Sequence, residues 1–131
     1  MKQYLAYFSI VVLDYDEAIA FYTKKLGFRL VEDTVLTEEK RWVVLMPPGA
    51  KETGILLARA SNAEQQAVIG KQAGGRVWLF LHTDDFWRDY TRYQDLGIEF
   101  VRQAVDEPHG TVAVFKDLYG NCWDLIQPKV R

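Results

Sequence analysis

The chain has 131 residues, the length of one ordinary domain, and is 49% hydrophobic, 14% aromatic and 26% charged, a balance that excludes disordered, collagen-like and low-complexity classes. Sixteen basic against eighteen acidic residues leave a net charge of −2, which excludes both the clustered positive surface of a nucleic-acid binder and a polybasic membrane anchor. The single cysteine, Cys122, excludes an intrachain disulfide and any paired-cysteine zinc or redox motif, and it points to a reducing, cytoplasmic compartment.

Residues 4–13 read as a strand. They are apolar and follow Lys2, but the run is too short to cross a bilayer and no small-residue cleavage pattern follows it. Asp14 then opens an amphipathic helix in which Ala18, Ile19, Tyr22 and Leu26 recur at helical spacing. Asp16 and Glu17 in its first turn and Lys24 and Lys25 in its last complement the helix dipole. Gly27 stands where a left-handed residue ends a helix, and Phe28 to Val31 restart as a strand. The charged run Thr37 to Arg41 is a solvated hairpin end. Two further strands, Arg41 to Met46 and Gly54 to Arg59, flank the turn Met46-Pro47-Pro48-Gly49.

The second half repeats this grammar. Val77 to Thr83 form a strand, Asp84 and Asp85 cap a helix, and Gly97 ends it before the strand Ile98 to Arg102. The turn Asp117-Leu118-Tyr119-Gly120 separates strands Val112 to Lys116 and Cys122 to Gln127, and it lies 71 residues after Met46-Pro47-Pro48-Gly49, the offset that also relates Asp85 to Asp14. Such self-similarity is the mark of a repeated unit. The chain is therefore a single domain, residues 1–131, built from repeat one (4–60) and repeat two (75–128) joined by 61–74. The fold class is α+β: two tandem βαβββ units forming a curved, cup-shaped mixed sheet with helices on its outer face. Pockets between repeated units are common ligand sites.

The stretch from Leu13 through Phe28 resembles the opening module of the vicinal oxygen chelate superfamily, which contains glyoxalase I, bleomycin-resistance proteins and extradiol dioxygenases. The stretch Val114-Phe115-Lys116-Asp117-Leu118-Tyr119-Gly120-Asn121-Cys122-Trp123-Asp124-Leu125 resembles the ending of the same family, with Leu118 in place of the usual proline. The resemblance implies paired βαβββ units, a homodimer, and in the catalytic members a divalent metal held by matching positions of the two halves. Those positions fall here on Tyr7, on Trp78, on the carboxylate-free run Gly54 to Ala58, and on Asp124. One donor of four is left, so no cofactor is expected. A divalent metal would have to use Asp124 and His109, with His82 as a third candidate.

On the first strand Phe8, Ile10 and Val12 match the family's helix-facing positions, which leaves Tyr7, Ser9 and Val11 facing the cup. In the second half Val77, Leu79, Leu81 and Thr83 face the helix, while Trp78, Phe80 and His82 face the cup. Asp124 shares its face with Cys122 and Ile126, and Arg59, Arg76 and His82 are its candidate partners. The inferred ligand-binding wall is Tyr7, Ser9, Trp42, Trp78, Phe80, His82 and Asp124. Aromatic faces with a few polar handles suit a flat or hydrophobic small molecule. The candidate catalytic groups are Asp124, His82 and His109, the last in a turn by composition. Trp87, Tyr90 and Tyr93 on the second helix read as packing, and Cys122 as a small buried hydrophobe. Two functional readings stand side by side: a metal-independent small-molecule binding protein resembling the bleomycin-resistance proteins, and a metal-dependent lyase or dioxygenase with an atypical ligand set. The partners implied are a small-molecule ligand and a second copy of the chain, with no nucleic acid and no membrane.

Overall fold

The structure, a computed structural model, describes residues 1–129. It divides into two units, Met1–Ile69 and a second beginning at Gly70. Among the described residues no helix is long and apolar enough to cross a membrane.

In the first unit β1 (Tyr7–Val12) leads into α1 (Tyr15–Ala20), followed by β2 (Arg29–Val35), β3 (Arg41–Met46), β4 (Gly54–Arg59) and the short α2 (Ala63–Ala67). The four strands form one mixed sheet in the order β1-β4-β3-β2, with β1 parallel to β4 and the other pairs antiparallel. Asp14 caps α1 by accepting the Glu17 N–H at 2.8 Å, the arrangement its side chain favours at that position. The helix packs on β3 and β4, and Ile10, Val12, Ala18, Tyr22, Leu26, Val43, Leu45 and Leu57 are sealed between them. Each buried aliphatic or aromatic side chain of that kind contributes about 1.5–3 kcal/mol.

The helix does not run to Leu26 in one geometry. Phe21–Lys25 form a π-helical turn, in which the Leu26 N–H donates to the Phe21 carbonyl at 3.3 Å. The Thr23 hydroxyl donates back to the Ile19 carbonyl at 2.7 Å, a bond of the kind that bends and widens helices.

The second unit repeats the topology with β5 (Val77–His82), α3 (Phe86–Asp95), β6 (Phe100–Glu107), β7 (Gly110–Lys116) and β8 (Cys122–Pro128) in the order β5-β8-β7-β6. Asp85 caps α3 through the Arg88 N–H at 3.2 Å. The core is aromatic: Phe86 stacks on Tyr90, and Phe115 stacks on Trp123 and meets Tyr93 edge-on. Tyr90 and Tyr93 are therefore packing residues, whereas Trp87 is 59% exposed and meets Phe86 and Tyr90 edge-to-face.

Strand β6 starts two residues later than its apolar pattern predicts and runs on to Glu107. Its pairing with β7 shifts register twice, between Phe100 and Arg102 and between Arg102 and Val105. Each bulge resets which side chains share a face, so simple alternation does not mark the strand.

Candidate functional site

Each sheet seals one face under its helix. The opposite, open face is only partly exposed: Val44, Val114 and Ile126 on it are buried while Tyr7 and Phe80 are exposed. In the first unit the open face carries Tyr7, Ser9 and Val11 of β1, which pair in register with Gly54, Leu56 and Ala58 of β4. Val44 pairs with Leu56, so Trp42, two residues before it, lies on the same face. Tyr7 and Trp42 stand at opposite ends of this face, and their rings still meet edge-to-face with centroids 6.0 Å apart.

Over one end of this face lies a pocket of about 560 Å³, within the range of small-molecule sites. Val11, Trp42, Leu56 and Ala58 form its apolar floor, and each is half-buried although its neighbours on the helix side are sealed. Thr37, Glu39 and Lys40 of the β2–β3 hairpin form one wall, and Arg59, Ser61 and Gln65 form the other. Both walls are held by local hydrogen bonds. The Thr37 hydroxyl oxygen accepts the Glu39 and Lys40 N–H groups at 3.2 and 3.1 Å. The Gln65 side-chain carbonyl accepts from the Ser61 N–H at 2.7 Å, and Asn62 accepts the Gln65 N–H at 2.8 Å.

The charges of the rim fall into two groups. Arg41 is committed: it pairs with Asp16 at 2.9 Å and Asp33 at 2.6 Å, and its guanidinium lies 5.1 Å from the centre of the Tyr15 ring. Its hydrogen bond holds the Asp33 carboxyl below the usual range, and the two carboxylates keep the guanidinium protonated. Lys40, Arg59 and Glu39 have no ion-pair partner among the described residues.

In the second unit Phe80 pairs with Asp124, His82 with Ile126, and Asp124 with Val114 across β7. These residues share the open face, and Phe80 is 64% exposed. Arg102, paired with Val114, joins them. Burial pushes the Asp124 carboxyl above its ordinary range; Arg102 and His109 oppose that shift and Glu107 adds to it. The cations acting on Asp124 in this unit are thus Arg102 and His109, not Arg76 or His82. His109 sits in the exposed turn between β6 and β7, and His82 is exposed at the end of β5.

Trp78 occupies a register shift between Val77 and Leu79, where Val77 pairs with Cys122 and Leu79 with Trp123. Alternation therefore does not assign Trp78 or Val77 a face. The Trp78 indole N–H is buried with no acceptor among the described residues, a situation in which an added acceptor would be favourable.

The residues do not fit a metal centre of the kind the fold suggests. Among the described residues no three His, Cys, Asp or Glu side chains come together as a metal-holding group, and neither the Trp78 indole nor the side chains of the Gly54–Arg59 strand supply the imidazole or carboxylate that such a centre uses.

Sequence reasoning reached Trp42 and the cup-facing Val11 but missed the rest of the pocket. Glu39 and Lys40 read as solvated hairpin charges, and nothing in the alternation of β4 marks Arg59 as a rim residue.

The residue pattern of the glyoxalase/bleomycin resistance protein/dioxygenase superfamily matches residues 4–125. An uncharacterized protein of Shewanella frigidimarina is 61% identical over 128 residues, 97% of this chain and 95% of its own. Among solved structures, UcmS2 superposes with a TM-score of 0.84 at 33% identity, covering 96% of this chain and 98% of its own. TnmS3, described as an antibiotic binding protein from Streptomyces sp. CB03234, superposes with a TM-score of 0.79 at 30% identity, covering 98% of each chain.

Proposed function

The chain belongs to the glyoxalase/bleomycin resistance protein/dioxygenase superfamily, and we propose that it is a binding member, which takes up a small hydrophobic or aromatic molecule on the open faces of its sheets without a catalytic metal. The observation that carries this reading is the pocket floored by Val11, Trp42, Leu56 and Ala58. Apolar surface left in contact with water is a source of affinity, about 25 cal/mol for each Å² a ligand covers. The polar groups of the rim would then set orientation. Similarity to a described antibiotic binding protein supports the same reading.

The metal-free part rests on donor chemistry. Where the family resemblance puts metal ligands, this chain has a phenol at Tyr7 and an indole at Trp78, and one carboxylate does not hold a transition metal against water. Asp124, His82 and His109 serve in this reading as polar handles rather than as a metal site. The reading takes the protein as a cytoplasmic homodimer, the isologous pairing being the commonest assembly.

Two measurements test it together. Elemental analysis after incubation with iron(II), manganese, nickel and zinc is expected to find no stoichiometric metal. The neutral dye N-phenyl-1-naphthylamine is expected to bind saturably, with weaker binding in Trp42→Leu. Stoichiometric metal that disappears in Asp124→Ala would overturn the reading in favour of a metal-dependent lyase or dioxygenase.

A further inference from the structure

We propose that the first-unit pocket selects aromatic molecules bearing one anionic group, a carboxylate, sulfonate or phenolate, with the ring on Trp42 and the anion between Lys40 and Arg59. This rests on the reading of the protein as a binder of aromatic molecules and names the class of ligand that site takes. The chain as a whole carries a charge of −2, yet the lining groups of this pocket that have no ion-pair partner among the described residues lean the other way. Of its lining cations, Arg41 is spent on Asp16 and Asp33, while Lys40 and Arg59 are uncommitted among the described residues. Glu39 is the opposing carboxylate. Two cations and one carboxylate without ion-pair partners among the described residues therefore line a pocket whose apolar floor includes an indole ring.

That pairing of features has a direction. A neutral aromatic would gain from the floor alone, and a cationic one would meet two unpaired cations against one unpaired carboxylate. An aromatic anion gains from both. A guanidinium offers it a fork of donors in fixed geometry, and hydrogen bonds between charged groups are roughly twice as strong as neutral ones. The rim needs little reorganisation, because Thr37 orders the Lys40 wall and Asn62 and Gln65 order the wall beyond Arg59. Prior ordering lowers the entropic cost of binding.

The test compares two dyes that share one ring system and differ in charge: 1-anilinonaphthalene-8-sulfonate and its neutral analogue N-phenyl-1-naphthylamine. Both are titrated against the intact protein and against Arg59→Gln, Lys40→Gln and Trp42→Leu, with circular dichroism confirming that each variant is folded. The sulfonate dye is expected to bind about tenfold more tightly than the neutral one, in line with a charge-assisted contact, and to lose most of that advantage in Arg59→Gln and in high salt. The neutral dye should change less than about twofold in Arg59→Gln, and Trp42→Leu should weaken both, as loss of a shared apolar floor requires. Equal affinity for the two dyes, unchanged by Arg59→Gln, would overturn anion selection and leave the binding reading standing. Sulfonate binding that ignores both Arg59→Gln and Trp42→Leu would place the dye elsewhere and overturn the assignment. Saturable binding of neither dye would overturn both readings.

Discussion

Asp117 accepts the indole N–H of Trp123 on its Oδ2 at 3.2 Å, which ties the turn between β7 and β8 to the core of the second unit. The same oxygen accepts from the Asn121 amide at 3.1 Å, and Oδ1 accepts the backbone N–H groups of Tyr119, Gly120 and Asn121. The carboxylate is 5% exposed, and a buried charge is tolerable only when donors surround it in this way. The consequence reaches the open face. By fixing the entry to β8 with Trp123 on the helix side, the turn places Asp124, one residue on, on the opposite face beside Phe80.

Asp117→Ala should therefore be among the most damaging single substitutions in the second unit. It leaves several buried donors without an acceptor, each costing about 1–3 kcal/mol, and the net loss should be about 3 kcal/mol or more. Asp117→Asn keeps one acceptor oxygen and should cost less. Guanidinium unfolding followed by tryptophan fluorescence measures both, and a loss below about 0.5 kcal/mol for the alanine variant would contradict the role given to this carboxylate.

Gly70 faces the same turn from the other side. Its φ is +76°, and a side chain there would fall inside contact distance of the Tyr119 carbonyl oxygen. Gly70→Ala then combines backbone strain with a clash against main chain, which cannot step aside as a flexible side chain would. A loss of about 1–3 kcal/mol follows, readable as a fall in Tm of several degrees for a domain of this size. A variant as stable as the parent would mean that the turn and residue 70 are not held together.

Tyr7 and Trp42 make a subtler prediction. Their edge-to-face contact at 6.0 Å joins β1 to β3 across β4, and Tyr7 is 44% exposed, so burial contributes little to it. A double-mutant cycle of Tyr7→Leu and Trp42→Leu should give a coupling of about 0.5–1.5 kcal/mol, the usual worth of an aromatic pair beyond its area. Zero coupling would mean that the Trp42 ring reaches its pocket position without Tyr7.

Much of the fold was legible because the chain states it twice. Asp14 and Asp85 cap their helices as their spacing predicts, and Gly49 and Gly120, 71 residues apart, both adopt positive φ in equivalent turns. Strands β3 and β4 begin and end where their apolar pattern does. The candidate site was less legible, for three physical reasons. Its rim is built from the β2–β3 hairpin and the segment running from the end of β4 into α2, and the hydrogen bonds of Thr37 and Gln65 that shape them leave no periodic trace in sequence. Bulges at Trp78 and along β6 break the alternation that would have assigned faces. The surroundings of Asp124 depend on that same β6 register, which is why Arg102 was not among the partners that residue patterns suggested.

Asp124 carries the last prediction, a dependence on pH. Burial raises its carboxyl above the ordinary range more than Arg102 and His109 lower it. A carboxyl whose pKa is higher in the folded than in the unfolded state binds its proton more tightly when folded. Its favourable contribution is therefore complete below the unfolded pKa of about 3.9, and it is lost as pH rises through the folded value. At neutral pH the ionised carboxylate is a net burden on the fold. Asp124→Asn, which keeps the shape and removes the charge, should accordingly raise the urea midpoint at pH 7, with the gain shrinking toward zero as pH falls to about 3.5. A variant less stable than the parent at pH 7 would show that Arg102 and His109 outweigh burial and that the open face is built to hold this carboxylate ionised.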